Sequence, residues 1–156
     1  MQLPPSILKL LYHARRAYQF IVRPINIGVR VLLLREGQVL LVRHSYIQGW
    51  YLPGGGLKRG ETLEAAARRE AHEEAGVRMG ALTFLGAYST LKKTLSDHIM
   101  MYLCTDFEQD SPHDSEIAET RLFPLNALPA DIHPDHRSRI EAFVSAYQAN
   151  RLPVVF

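Results

Sequence analysis

An α+β fold is predicted for this chain, and three stretches carry the prediction. Residues 26–44 hold two Val- and Leu-rich runs on either side of Glu36-Gly37, the pattern of a β-hairpin. Residues 63–75 hold five alanines and several long unbranched side chains and stop at Gly76, the pattern of a helix. Residues 135–149 place Ile140, Phe143, Val144 and Tyr147 at helical spacing, a second helix that closes the chain.

Residues 1–24 read as an N-terminal amphipathic helix and residues 25–156 as the main domain. Between 6 and 21, Ile7, Leu8, Leu10, Leu11, Ala14, Ala17, Tyr18 and Ile21 keep helical periodicity, with Lys9, Arg15 and Arg16 off the stripe. Pro4 and Pro5 suit its start and Pro24 its end. Three uses of this helix stand open: packing on the domain, a homodimer contact, or a basic amphipathic helix on a membrane surface.

The hairpin strands run over 26–35 and 38–44, after which 45–53 is a loop. Trp50 in that loop either packs beside the following segment or stacks on a base. Further on, 82–89 and 98–107 are strand candidates, with turns at Gly80 and across 92–97. Residues 108–116 read as a loop broken by Pro112, and 120–123 as a short strand. A turn through Pro134 leads to Asp135, the expected cap of the closing helix.

A length of 156 residues is enough for one domain with a proper core. Apolar content of 47% and charged content of 22% are those of an ordinary globular protein. The net charge of +2 gives no electrostatic case for wrapping nucleic acid, so no DNA partner is expected. Cys104 is the only cysteine, which excludes an internal disulfide and fits a reducing compartment. No apolar run approaches the roughly 18 residues of a membrane span. Lys9, His13, Arg15 and Arg16 interrupt any signal-peptide core. A cytoplasmic protein without a transmembrane segment is expected.

The central helix carries its charges in an unfavourable way. Thr62 is a fitting N-cap. At roughly 100° per residue, Glu70, Glu73 and Glu74 share one arc about 100° wide. Glu70 and Glu74 repel at i,i+4, and all three acids lie toward the C-terminal end, where the helix dipole disfavours anions. A solvated face with Arg69 pairing Glu73 explains one acid and leaves Glu70 and Glu74 without a counter-charge. A hard divalent cation, which takes carboxylate oxygens together with substrate phosphates, explains all three and is favoured.

The run from Gly55 to Val77 resembles the Nudix box, Gly-x5-Glu-x7-Arg-Glu-U-x-Glu-Glu-x-Gly-U, with U a bulky aliphatic residue. Gly55, Glu61, Arg69-Glu70, Glu73-Glu74, Gly76 and Val77 fill its positions, and only Ala71 departs, at an aliphatic place. The likeness extends upstream through Gly49-Trp50-Tyr51-Leu52-Pro53. The resemblance implies an α/β/α sandwich with a central mixed β-sheet, and hydrolysis of a nucleoside diphosphate linked to another moiety with Mg²⁺ or Mn²⁺. Carried over to this sequence, it implies Glu73 and Glu74 as metal ligands, Glu70 as a ligand or the base, and the Gly54 carbonyl as a further ligand. It implies a structural Glu61–Arg69 salt bridge as well, beside the structural glycines Gly55 and Gly76. A further acid from outside the box is expected at Glu116 first and Glu119 second.

Arg43, Lys58 and Lys92 are the candidate substrate contacts, with Lys93 beside the last; loop lysines are by default surface residues. The places where a proline would suggest ADP-ribose, or a tyrosine dinucleoside polyphosphates, hold Lys92 and Lys93. The coenzyme A pattern is not matched upstream. Nucleoside triphosphates, modified nucleotides and nucleotide sugars stay open, and so does RNA with a capped or triphosphorylated 5′ end. A nucleotide-sensing or binding module that keeps the fold without turnover is the rival class.

Overall fold

Two strands of this chain carry continuous apolar runs, Val31–Leu34 and Val39–Val42, because both of their faces are covered there. In the computed structural model, which describes residues 5–22, 25–92, 95–110, 116–149 and 151, they are β1 (Ile25–Arg35) and β2 (Gln38–His44). Before them lies α1 (Pro5–Val22), and after them α2 (Leu63–Ala75), β3 (Val77–Met79), β4 (Thr83–Lys92) and β5 (Leu95–Cys104). The chain ends with β6 (Phe107–Gln109), β7 (Ile117–Pro124) and α3 (Pro134–Gln148).

The main sheet has the order β4-β5-β1-β2-β7. β1 and β5 are parallel and the other pairs antiparallel, so the sheet is mixed, as expected. On one face Val29, Val31, Leu33, Leu40 and Val42 pack against Ala66, Ala67, Ala71 and Ala75 of α2. On the other, Leu32, Val39 and Leu41 pack with Ile140 and Phe143 of α3. The two-residue alternation of a strand feeds both layers, and the result is an α/β/α sandwich. Ala71 is fully buried, so the small residue at an aliphatic place belongs to an all-alanine face that lies close on the sheet.

The hairpin turns through Glu36 and Gly37 with φ of 50° and 74°, the left-handed pair that matches strand twist. Elsewhere the strand ends differ from the expectation. β4 and β5 run on through the expected turn at 92–97, because Thr90, Leu91 and Lys92 pair with Asp97, Ser96 and Leu95 and the ladder overrides polar composition. Residues 98–107 form no single strand: β5 stops at Cys104, whose thiol donates to the Asp106 carbonyl. Phe107 then opens β6, which pairs with β3 in a separate two-stranded sheet. These three-residue strands are too short to show a period. β7 starts at Ile117, so Glu119 is a strand residue and not a loop residue. His133, not Asp135, is the N-cap of α3, with Pro134 in the first turn and Asp135 behind it. α1 does not turn its apolar stripe to the sheet: Ile7, Leu10, Leu11 and Tyr18 are exposed.

α3 also anchors the segment that leads to the glycine run. The Trp50 amide donates to the Asp131 carbonyl (3.2 Å), and the Trp50 carbonyl accepts from the His133 amide (3.0 Å). The Leu52 amide donates to Nδ1 of buried His136 (2.8 Å). Burial, reinforced by Arg30 and neighbouring histidines, holds the His136 pKa well below the usual histidine range. The unfolded chain therefore takes up the proton first, and the neutral ring stabilises the fold above about pH 6.5. Stability is expected to fall as the pH drops from about 6.5 toward the depressed native pKa, with a slope of up to about 1.4 kcal/mol per pH unit. In His136→Asn, which keeps an acceptor for the Leu52 amide, denaturant midpoints measured against pH should lose that part of the slope.

Candidate active site

The glycine run sits inside the sheet. β1 and β2 are paired only near the turn, at Leu34–Val39 and Arg35–Gln38, and then part. The gap is filled by 51–57. Tyr51 exchanges both backbone bonds with Val42 (2.9 Å each), and the Pro53 and Gly55 carbonyls accept from Val31 and Val29 (2.9 Å each). The Leu57 amide donates to the Ile27 carbonyl at 3.0 Å. Trp50, 4% exposed, is part of the core, edge-on to Phe123 with ring centroids 4.8 Å apart. That excludes it as a stacking platform for a base.

α2 lies beside this segment, capped by Thr62 Oγ1, which accepts from the Ala65 amide (3.1 Å), and ended by Gly76 at φ 65°. Glu74, 8% exposed, accepts from the Gly54 amide (2.9 Å) and lies 3.9 Å from His44 Nε2. Glu70 packs so closely on Gly55 that a Cβ there would stand 2.6 Å from its carboxylate oxygen, a direct reason for glycine at that place. Arg69 Nε and Nη2 grip both oxygens of Glu61 (2.7 and 3.0 Å), and Nη2 reaches the Gly56 carbonyl (3.1 Å). Its Nη1 donates to Glu70 (2.7 Å) and Glu73 (3.0 Å). This corrects the charge count made from spacing: Glu70 has a counter-charge, because a planar guanidinium with five N–H groups can serve three carboxylates at once. The Arg69 bonds, helped by the Lys58 amide, bring the Glu61 pKa down to about 2, and the same bonds push that of Arg69 up.

These elements border an open cleft of about 860 Å³. Glu70, Glu74 and Glu116 line it together with Gly54, Gly55, Gly56 and Lys58. Glu73 is not in its lining. It is half-exposed, between Arg69 and Lys58, whose Nζ is 3.7 Å away. Arg43 faces a neighbouring groove, where it is ion-paired to Glu119 and lies 5.1 Å from the Trp50 ring. Glu119 also pairs Arg121. Lys92 ends β4, but its side chain, like the whole of Lys93, lies outside the described residues.

Sequence reasoning passed over Asn26, Arg30 and Asp97, which also line the cleft. Asn26, Gly28 and Arg30 alternate along an otherwise apolar strand, and that two-residue period was the available signal. Arg15 reaches the cleft from α1, with no signal in its local sequence.

The donor set fits a hard divalent cation: carboxylates around a glycine run, in a cleft that Arg30 and Lys58 also line. Among the described residues no three acid, His or Cys side chains converge on one point.

Comparisons with known proteins agree on what this arrangement is. The NUDIX domain family profile matches residues 24–143. A Bacillus subtilis protein provisionally named an 8-oxo-dGTP diphosphatase is 30% identical over 122 residues, covering 78% of this chain and 81% of that protein. An RNA pyrophosphohydrolase of Tolumonas auensis is 42% identical over 60 residues, 38% of this chain and only 34% of that protein. Among solved structures, a MutT Nudix hydrolase from Burkholderia pseudomallei superposes with a TM-score of 0.69 at 23% identity, over 76% of this chain and 97% of that one. The chain therefore belongs to the Nudix family, and is a hydrolase acting on phosphoanhydride bonds.

Proposed function

We propose that the chain is a divalent-metal-dependent nucleotide pyrophosphohydrolase, which cleaves a nucleoside diphosphate linked to another moiety by water attack at phosphorus. The observation that carries this reading is the meeting of Glu70, Glu74 and Glu116 on a cleft bordered by Gly54–Gly56. Nudix hydrolases in general use divalent metals. Mg²⁺ or Mn²⁺, when bound, neutralises phosphate charge and lowers the pKa of water. Glu70, Glu74 and the Gly54 carbonyl are the proposed ligands. Glu73 joins them on its spacing alone, since it stands outside the cleft. Glu70 is a ligand or the base that takes the proton from the attacking water, and Glu116 is the further acid. Lys58 is the favoured phosphate contact among the three basic candidates, because it lines the cleft whereas Arg43 lines the neighbouring groove. Residues 25–156 form the catalytic unit and α1 is an addition to it. The Bacillus subtilis relative supports a modified nucleoside triphosphate as the first substrate to assay.

Turnover of a nucleotide panel, followed by release of monophosphate, pyrophosphate and phosphate, is expected in Mg²⁺ or Mn²⁺ and should vanish with chelator. Tight nucleotide binding without turnover in either metal would instead support a nucleotide-sensing module. Glu74→Gln keeps an oxygen for the Gly54 amide, so its melting point should stay near that of the parent while kcat falls by at least about 100-fold. Retained kcat in that variant contradicts the assignment. Glu116→Gln should likewise lower kcat. Glu119→Gln should instead cost up to about 1 kcal/mol of stability through its partly exposed ion pairs, with kcat within about twofold of the parent.

A further inference from the structure

Arg30 stands where a charge is costly. Leu32, two residues on in the same strand, is fully buried in the layer that holds α3, and strand alternation puts Arg30 on that face as well. Arg30 is partly buried there. Its charge is felt by Tyr51, Tyr88 and His136, all of them neutral at about pH 7. Other partly buried arginines are engaged: Arg43 by Glu119, Arg68 by Glu64, Arg35 by the Phe107 carbonyl, and Arg69 by three carboxylates. Among the described residues, no carboxylate pairs with Arg30 and no acceptor takes a hydrogen bond from its guanidinium. A cation taken partly out of water without a counter-charge destabilises the fold that carries it.

The open side of Arg30 is the cleft, which it lines together with Glu70, Glu74 and Gly54–Gly56. The glycine run is fastened along β1 at this residue: the Val29 and Val31 amides, on either side of it, donate to the Gly55 and Pro53 carbonyls. A Cβ on Gly54 would stand 2.9 Å from the Arg30 Cα, so the arginine is rooted against the residue whose carbonyl is a proposed metal ligand. Two conditions select its partner. The partner is anionic, because a neutral group such as a nucleobase leaves the charge uncompensated, and it comes from solvent, because the described residues supply none. A phosphate group meets both, and the planar guanidinium fork matches two of its oxygens.

We infer that Arg30 is a substrate-phosphate contact, its guanidinium taking oxygens of the diphosphate that the cleft holds beside Gly54. This deepens the pyrophosphohydrolase reading and rests on it for where the diphosphate lies. The test measures binding apart from turnover: the dissociation constant of inorganic pyrophosphate in Mg²⁺ for the full chain, by calorimetry, with the thermal midpoint of each protein. Arg30→Gln should weaken pyrophosphate binding at least about tenfold. Arg30→Lys, which keeps the charge and loses the fork, should recover part of that loss. The midpoint of Arg30→Gln should hold or rise, because an uncompensated charge is gone. An arginine needed only for packing would instead lower the midpoint and leave pyrophosphate binding by the folded protein unchanged. Equal pyrophosphate affinity in the parent and Arg30→Gln overturns the inference, as does a parent that binds no pyrophosphate. Binding that depends on Arg30, in a chain that turns over no nucleotide, supports the contact and counts against the turnover proposed above.

Discussion

Arg69 gathers three carboxylates and a backbone carbonyl around one guanidinium, and the shape of the site follows from that gathering. Glu61 and Gly56 belong to the loop, whereas Glu70 and Glu73 belong to α2, so these bonds tie the loop to the helix. Without the guanidinium, Glu61, Glu70 and Glu73 would repel one another at short range in a partly dehydrated setting. With it, Glu61 stays ionised down to a pH near 2, and the helix tolerates acids at the end its dipole disfavours. Gly55 completes the joint by leaving its Cβ position to the Glu70 carboxylate.

The loop can occupy that place only because the sheet opens for it. β1 and β2 separate beyond the turn, and the chain returns between them, taking backbone bonds from both strands. α3 secures the approach through Asp131, His133 and His136, and the alanine face of α2 lets the helix lie close on the other side. A rigid two-layer support thus holds flexible residue types, glycines, in one conformation. Preorganisation of this kind leaves the backbone around the cleft already ordered before any ligand arrives.

α1 is a different kind of element. It lies wholly outside the 24–143 span of the family match, touches the loop at Tyr46 through Tyr12, and lines the cleft with Arg15. One helix therefore touches the surroundings of the site with its polar side and offers solvent its apolar side.

The sequence by itself determined what depends on neighbours along the chain. The caps of α2 at Thr62 and Gly76, the hairpin turn at Glu36-Gly37 and the joint placement of Glu70 and Glu74 on one helix face all follow from local dihedral and periodic rules. Only the tertiary structure decided which of those acids meets the cleft. Glu73 shares the arc but turns to Arg69 and Lys58, whereas Glu116 arrives from the start of β7. Arg43 and Glu119 neutralise each other because β2 and β7 pair in that register, a fact 76 residues apart in sequence. The short β3–β6 pair and the outward stripe of α1 were illegible for the same reason. A periodicity shows that a face is apolar or charged, but what that face meets is set by long-range packing and by ladder bonds that no local window contains.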